Sequence, residues 1–186
     1  MDEFGFLAVL LSIILGLVVT QILTGFRGLL LTRARVTIYW PVIAWAVLIL
    51  LIAVQSWWAM FDLRTRHDWT FLQFAVVLSQ VTILYMIAGL VFPDFTGNEV
   101  DLRENFYAHR GWFFGLLVAM LAASVIKELA LAGRLPAPLN LTFHIIFAGG
   151  LLIGAVTSRE RYHKVFVIFG LAIFMTYVVF LFTRLD

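Results

Sequence analysis

The sequence predicts an all-α integral membrane protein, a compact bundle of six transmembrane helices with short loops and both termini on the same side. Three observations carry this. The chain of 186 residues is 63% hydrophobic and only 13% charged, with a mean hydropathy of +1.01, whereas a soluble domain is about half apolar and about a quarter charged. So little charge cannot cover a water-facing surface. The apolar residues fall into six runs, at 4–31, 38–61, 69–92, 111–131, 139–157 and 162–183, each near the ~20 residues that a helix needs to cross a bilayer. The connections are too short to fold separately, so residues 1–186 read as one domain. The runs also lack the in/out alternation of an outer-membrane strand, and helices satisfy their own backbone groups where lipid cannot.

The chain opens on MDEFGF, which lacks the basic leader of a signal peptide. A span starting near Phe4 crosses ~30 Å of hydrocarbon by about Thr24. Arg27 then snorkels to the interface, and Arg33 and Arg35 lie beyond it. At ~100° per residue, Leu17, Gln21, Thr24, Gly25 and Gly28 share one helix face. Small and hydrogen-bonding residues together make a packing face in lipid. A sharper reading puts Gln21 on a solute path or beside a cofactor.

The second run opens at Trp40 and closes at Trp57 and Trp58, and the third opens at Trp69. With Trp112 at the start of the fourth, these indoles are interface anchors. Gln55 shares a face with Ala59 and Asp62, and Gln73 shares one with Gln80. If the faces carrying Gln21, Thr24, Gln55, Gln73 and Gln80 converge, they form an uncharged polar seam. Such a seam either holds helices in register, the reading placed first, or hydrates a small solute.

The longest connection, 93–110, reads as a surface loop running into the fourth helix. Its Asp94, Glu99 and Asp101 lack the spacing of a calcium loop. Gly111 and Gly115 form a GxxxG pattern that Ala119, Ala122 and Ala123 extend; Gly150 and Gly154 form a second in the fifth helix. Small residues let helix backbones approach, within one chain or between chains. Lys127 and Glu128 are interfacial if the fourth helix ends near Ile126, the option the sequence favours. They lie about a turn deep if it runs to Ala132, where charge is costly.

With six helices, the first, third and fifth loops share a face that carries eight of the thirteen Lys and Arg residues. The bias predicts a bacterial cytoplasmic membrane with both termini outside. There is no cysteine, so no disulfide or thiol chemistry is available. The net charge of +2, with its cations scattered, gives no nucleic-acid footprint. The four histidines include no matched mid-helix pair, which leaves His109, His144 and His163 as weak haem candidates. No cofactor or metal is expected. Hydrolase, phosphate-loop and dinucleotide motifs are missing, and so is a mid-helix carboxylate of the kind carriers use.

The sequence therefore points first to a non-enzymatic membrane subunit or scaffold, partnered by the bilayer and by a second copy or another subunit. The second reading is a small oligomeric channel or facilitator lined by the glutamines, which needs only a polar lining. A haem- or pigment-binding protein comes third.

Overall fold

A computed structural model describes residues 3–95 and 99–181. It is mostly helical, with α1 at Glu3–Leu31, α2 at Trp40–Ala59, α3 at Phe71–Val91, α4 at Leu102–Ala132, α5 at Pro138–Val156 and α6 at Glu160–Leu181. Five of the helices, all but α6, are long and apolar enough to cross a membrane, judged over the described residues. The last two positions of the sixth sequence run, 182 and 183, lie outside those residues.

Local signals set the ends. Thr70 caps α3 by accepting from Gln73 N, and the Gln73 side chain accepts from Thr70 N in return, a reciprocal capping box. Proline stands in the first turn of α2 and of α5, where its missing N–H costs nothing. The α4 helix stops at Gly133, whose φ of 66° is the left-handed conformation that glycine adopts without strain.

The largest departure from the sequence reading is the start of α4. It begins at Leu102 rather than Gly111. Asp101 Oδ1 accepts from the backbone N–H of Arg103 and Glu104 at 2.7 and 3.1 Å, so a carboxylate expected in a surface loop is a helix cap. At 1.5 Å per residue α4 is about 46 Å long, against ~30 Å of hydrocarbon. Its polar first turns, LRENFYAHR, are length beyond what a single crossing needs. Trp112 sits ten residues inside the helix yet still at the level where the apolar stretch begins. The second run is also shorter than expected. Val36 and Thr37 form a strand, β1, ahead of it, and a 3₁₀ turn at Met60–Thr65 follows it.

The helices pack in a definite order. α1 lies against α2 and α3, α3 against α4, α4 against α5, and α2 against α6. Two sets of contacts fix the ends. β1 pairs in parallel with β2, Val100–Asp101, through the partners Val36–Val100 and Thr37–Asp101. Arg103 reaches Glu160 at 3.4 Å. The loops after α1, α3 and α5 therefore gather at one end. At the other end Arg66 donates to the Leu131 carbonyl at 2.8 Å, and Gln73 Nε2 donates to the Ala130 carbonyl at 3.1 Å.

Lipid gives helices no hydrophobic reason to associate, so close packing has to supply the attraction. The core does this with rings set against glycines. Phe92 seats on Gly25 and Phe95 on Gly28, which ties α1 to the end of α3. Trp45, only 4% exposed, meets Phe113 and Phe114 edge to face at 5.2 and 5.7 Å. That geometry sets the positive ring edge against a negative ring face.

Candidate functional site

Three features gather chemistry, and the structure treats them differently. The first is the expected seam. Gln21 is half-buried, and its side chain lies against Gly89 of α3, whose lack of a Cβ makes the room. Gln21 Oε1 is buried and has no hydrogen-bond donor among the described residues. Gln73 bonds the end of α4, as above. Gln55 and Gln80 are half-buried, and Thr24 is exposed. Gln80 stands nine residues from Gly89 along α3, about 13 Å at 1.5 Å per residue, so it does not reach the level of Gln21. Gln21 and Gln73 thus serve two separate helix contacts at different depths.

The second feature is His163, the one buried polar residue among those described, with 0% exposure. Its Nε2 donates to the Thr157 carbonyl at 3.0 Å. Four rings surround it: Phe106 at 5.1 Å, Tyr107 at 5.4 Å, Phe114 at 5.6 Å and Tyr162 at 5.8 Å between centroids. Its Nδ1 is buried without a hydrogen-bond partner among the described residues. Around this box run polar ties. Tyr162 donates to the Gly150 carbonyl at 2.6 Å. The Tyr39 and Tyr107 hydroxyls stand 3.5 Å apart. Arg110 donates to the Tyr107 carbonyl at 2.8 Å. Burial pushes the Tyr39 hydroxyl well above the usual tyrosine range, and the Tyr107 hydroxyl adds to the rise. Glu160 holds Lys164 at 2.6 Å as well as Arg103. The Lys164 hydrogen bond keeps this exposed carboxyl below its ordinary value.

The other two haem candidates sit elsewhere. His109 Nδ1 donates to the Asn105 carbonyl at 3.0 Å, and His144 Nδ1 to the Asn140 carbonyl at 2.9 Å, each within its own helix. No group of three metal-ligating side chains occurs among the described residues. Sequence reasoning passed over the role of His163. The available signal was the aromatic spacing Phe106, Tyr107, Phe113, Phe114 on α4, which lines one side of a helix with rings.

The third feature is the glycine patterns, and here the two separate. A methyl group at Gly154 would press on the Phe114 ring at 3.1 Å, and one at Gly150 on Phe166. The α5 pattern is thus filled inside the chain, by α4 and α6. At Gly111 and Gly115 such a methyl would meet nothing within 4 Å among the described residues. Both glycines are exposed, with Ala108, Trp112 and Ala122. Ala108, Gly111, Gly115 and Ala122 recur at a near-heptad spacing on one side of α4. Ala123, by contrast, turns into the bundle at 7% exposure.

The anchors sort by depth. Arg27, Arg33 and Arg35 are exposed, with Arg33 and Arg35 in a 3₁₀ turn past α1. Trp40, Trp57 and Trp112 are 42, 58 and 75% exposed. Trp58 is half-buried, and Trp69 donates to the Arg66 carbonyl at 3.1 Å. Because α4 runs to Ala132, Lys127 and Glu128 lie within its last two turns, both half-buried. Neither forms a salt bridge among the described residues. The chain matches no protein-family model, no curated protein and no solved structure.

Proposed function

We propose that the chain is a non-enzymatic membrane subunit, a six-span bundle that associates through the outer face of α4. The observation that supports it is the open glycine pair Gly111 and Gly115, set beside a second pair already filled by Phe114 and Phe166. A face of glycine and alanine offers close backbone approach, the main source of attraction between helices in lipid. The small side chains of Ala108 and Ala122 extend that face by more than two turns in all. The sixth span rests on α6, whose residues from Val165 onward are uninterruptedly apolar or small save for Thr176 and Tyr177. We place both termini outside a bacterial cytoplasmic membrane, with the cation-rich loops inside. The use of Gln21 and Gln73 at helix contacts favours the register reading of the polar residues over a solute path.

The natural chain has no cysteine, so single cysteines are clean probes. Gly111→Cys and Gly115→Cys are expected to cross-link to a second copy in native membranes. Leu72→Cys, on an exposed apolar site of α3, is expected not to. The rival surface is α1, where Ser12, Gly16 and Thr20 form another exposed small face. Cross-linking of Gly16→Cys alone would move the interface there. Absence of cross-linking at all three glycines would overturn self-association through a small-residue face.

A further inference from the structure

The cations at the start of α6 are unevenly used. Glu160 is the one carboxylate among Arg159, Glu160, Arg161 and Lys164, and it already binds Lys164 and Arg103. Arg159 and Arg161 are exposed and have no carboxylate partner among the described residues. These side chains, with Tyr162 and Val165, line an open basin of about 880 Å³. The basin lies at the end of the bundle where the cation-rich loops gather. Its wall is apolar in one direction. Val165 is 66% exposed, and Ile168 and Phe169 follow it at 56 and 45%. Arg161, Val165 and Ile168 are spaced four and three apart, so they form one line down the outside of α6.

We propose that this basin is a site for an anionic phospholipid of the surrounding bilayer. Arg159, Arg161 and Lys164 would hold the phosphodiester, and an acyl chain would run along Val165, Ile168 and Phe169. Charge complementarity selects the anion, since three cations face one carboxylate that is already engaged. Arginine suits the role because its planar fork can bond two phosphate oxygens at once. The apolar line directly below the cations selects a lipid over free phosphate, because only an amphiphile satisfies both parts of the surface. Basic pockets at the cytoplasmic ends of membrane helices bind anionic headgroups on this same principle.

The test is native mass spectrometry of the whole chain from nanodiscs of equimolar phosphatidylglycerol and phosphatidylcholine. The wild-type protein is expected to retain phosphatidylglycerol several-fold over phosphatidylcholine. Arg159→Gln with Arg161→Gln is expected to bring that preference close to one, with an unchanged melting curve in pure phosphatidylcholine. Val165→Glu, at an exposed position, puts a carboxylate into the basin and is expected to do the same. It serves as the second probe if the arginine pair fails to fold. Equal retention of both lipids by the wild type would overturn the proposal. So would a preference that survives both variants, which would place the lipid elsewhere. Displacement of the lipid by millimolar inorganic phosphate would assign the basin to free phosphate instead.

Discussion

Gly25 and Gly16 lie nine residues apart on α1, yet the structure gives them opposite roles. A methyl group at Gly25 would overlap the Phe92 ring, while one at Gly16 would meet nothing within 4 Å. Gly25→Ala is expected to destabilise the bundle by about 1–3 kcal/mol through overpacking. Gly16→Ala is expected to be neutral or stabilising by up to about 1 kcal/mol, since alanine favours helix. Reversible unfolding in mixed micelles checks both. Tyr39 carries a pH signature. Its hydroxyl is raised in the folded chain, so between the ordinary tyrosine value near 10 and the folded value the unfolded state binds fewer protons. Stability is therefore expected to fall as pH rises above about 10. Tyr39→Phe is expected to flatten that slope in unfolding curves taken from pH 9 to 11.5. Truncating His163 is a packing test of another kind. His163→Ala removes a fully buried ring from four aromatic neighbours and strips the Thr157 carbonyl of its donor. The loss is expected to reach about 2–5 kcal/mol, read by the same unfolding measurement.

Among the elements, α4 teaches most about what a sequence displays. The apolar spans were legible because hydropathy over about 20 residues is a sum, and local errors cancel in it. The first three turns of α4 were not, because LRENFYAHR is amphipathic and polar, and its helicity comes from the Asp101 cap and from Leu102 and Phe106 entering the core. Asp101→Ala is expected to cost about 1 kcal/mol and to increase amide exchange selectively over Leu102–Arg110. The glycine patterns were visible at once, but their use was not. Gly111–Gly115 and Gly150–Gly154 have identical spacing, and only the placement of Phe114 and Phe166 distinguishes an occupied face from an open one. Gly154→Leu is accordingly expected to impair folding, whereas Gly115→Leu leaves the melting curve in place and abolishes any oligomer seen by light scattering. The buried histidine was hidden for a related reason. His163 follows Arg161 and precedes Lys164, so its neighbours in sequence suggested a wet helix end. Its neighbours in space are the rings of α4.

For the molecule as a whole, the polar ties that join α2, α3, α4 and α6, the α5–α6 bond from Tyr162 to Gly150 apart, have a common reach. Gln73 to Ala130 and Arg103 to Glu160 each span 57 positions, Arg66 to Leu131 spans 65, and Tyr39 to Tyr107 spans 68. The β1–β2 ladder, from Thr37 to Asp101, is of the same order. During synthesis this spacing imposes a schedule. When α1 and α2 have entered the bilayer, Val36, Thr37 and Tyr39 still await partners that have not been made. The same holds for Arg66 and Gln73 once α3 is in place. Emergence of α4 supplies several of these partners at once, and α6 then brings His163 in among the rings of α4. A nascent chain halted after α3 would present the unmatched edge of β1 and an unpaired Arg66 to the insertion and proteolysis machinery, and one halted after α4 would have both matched, with Arg103 still waiting for Glu160.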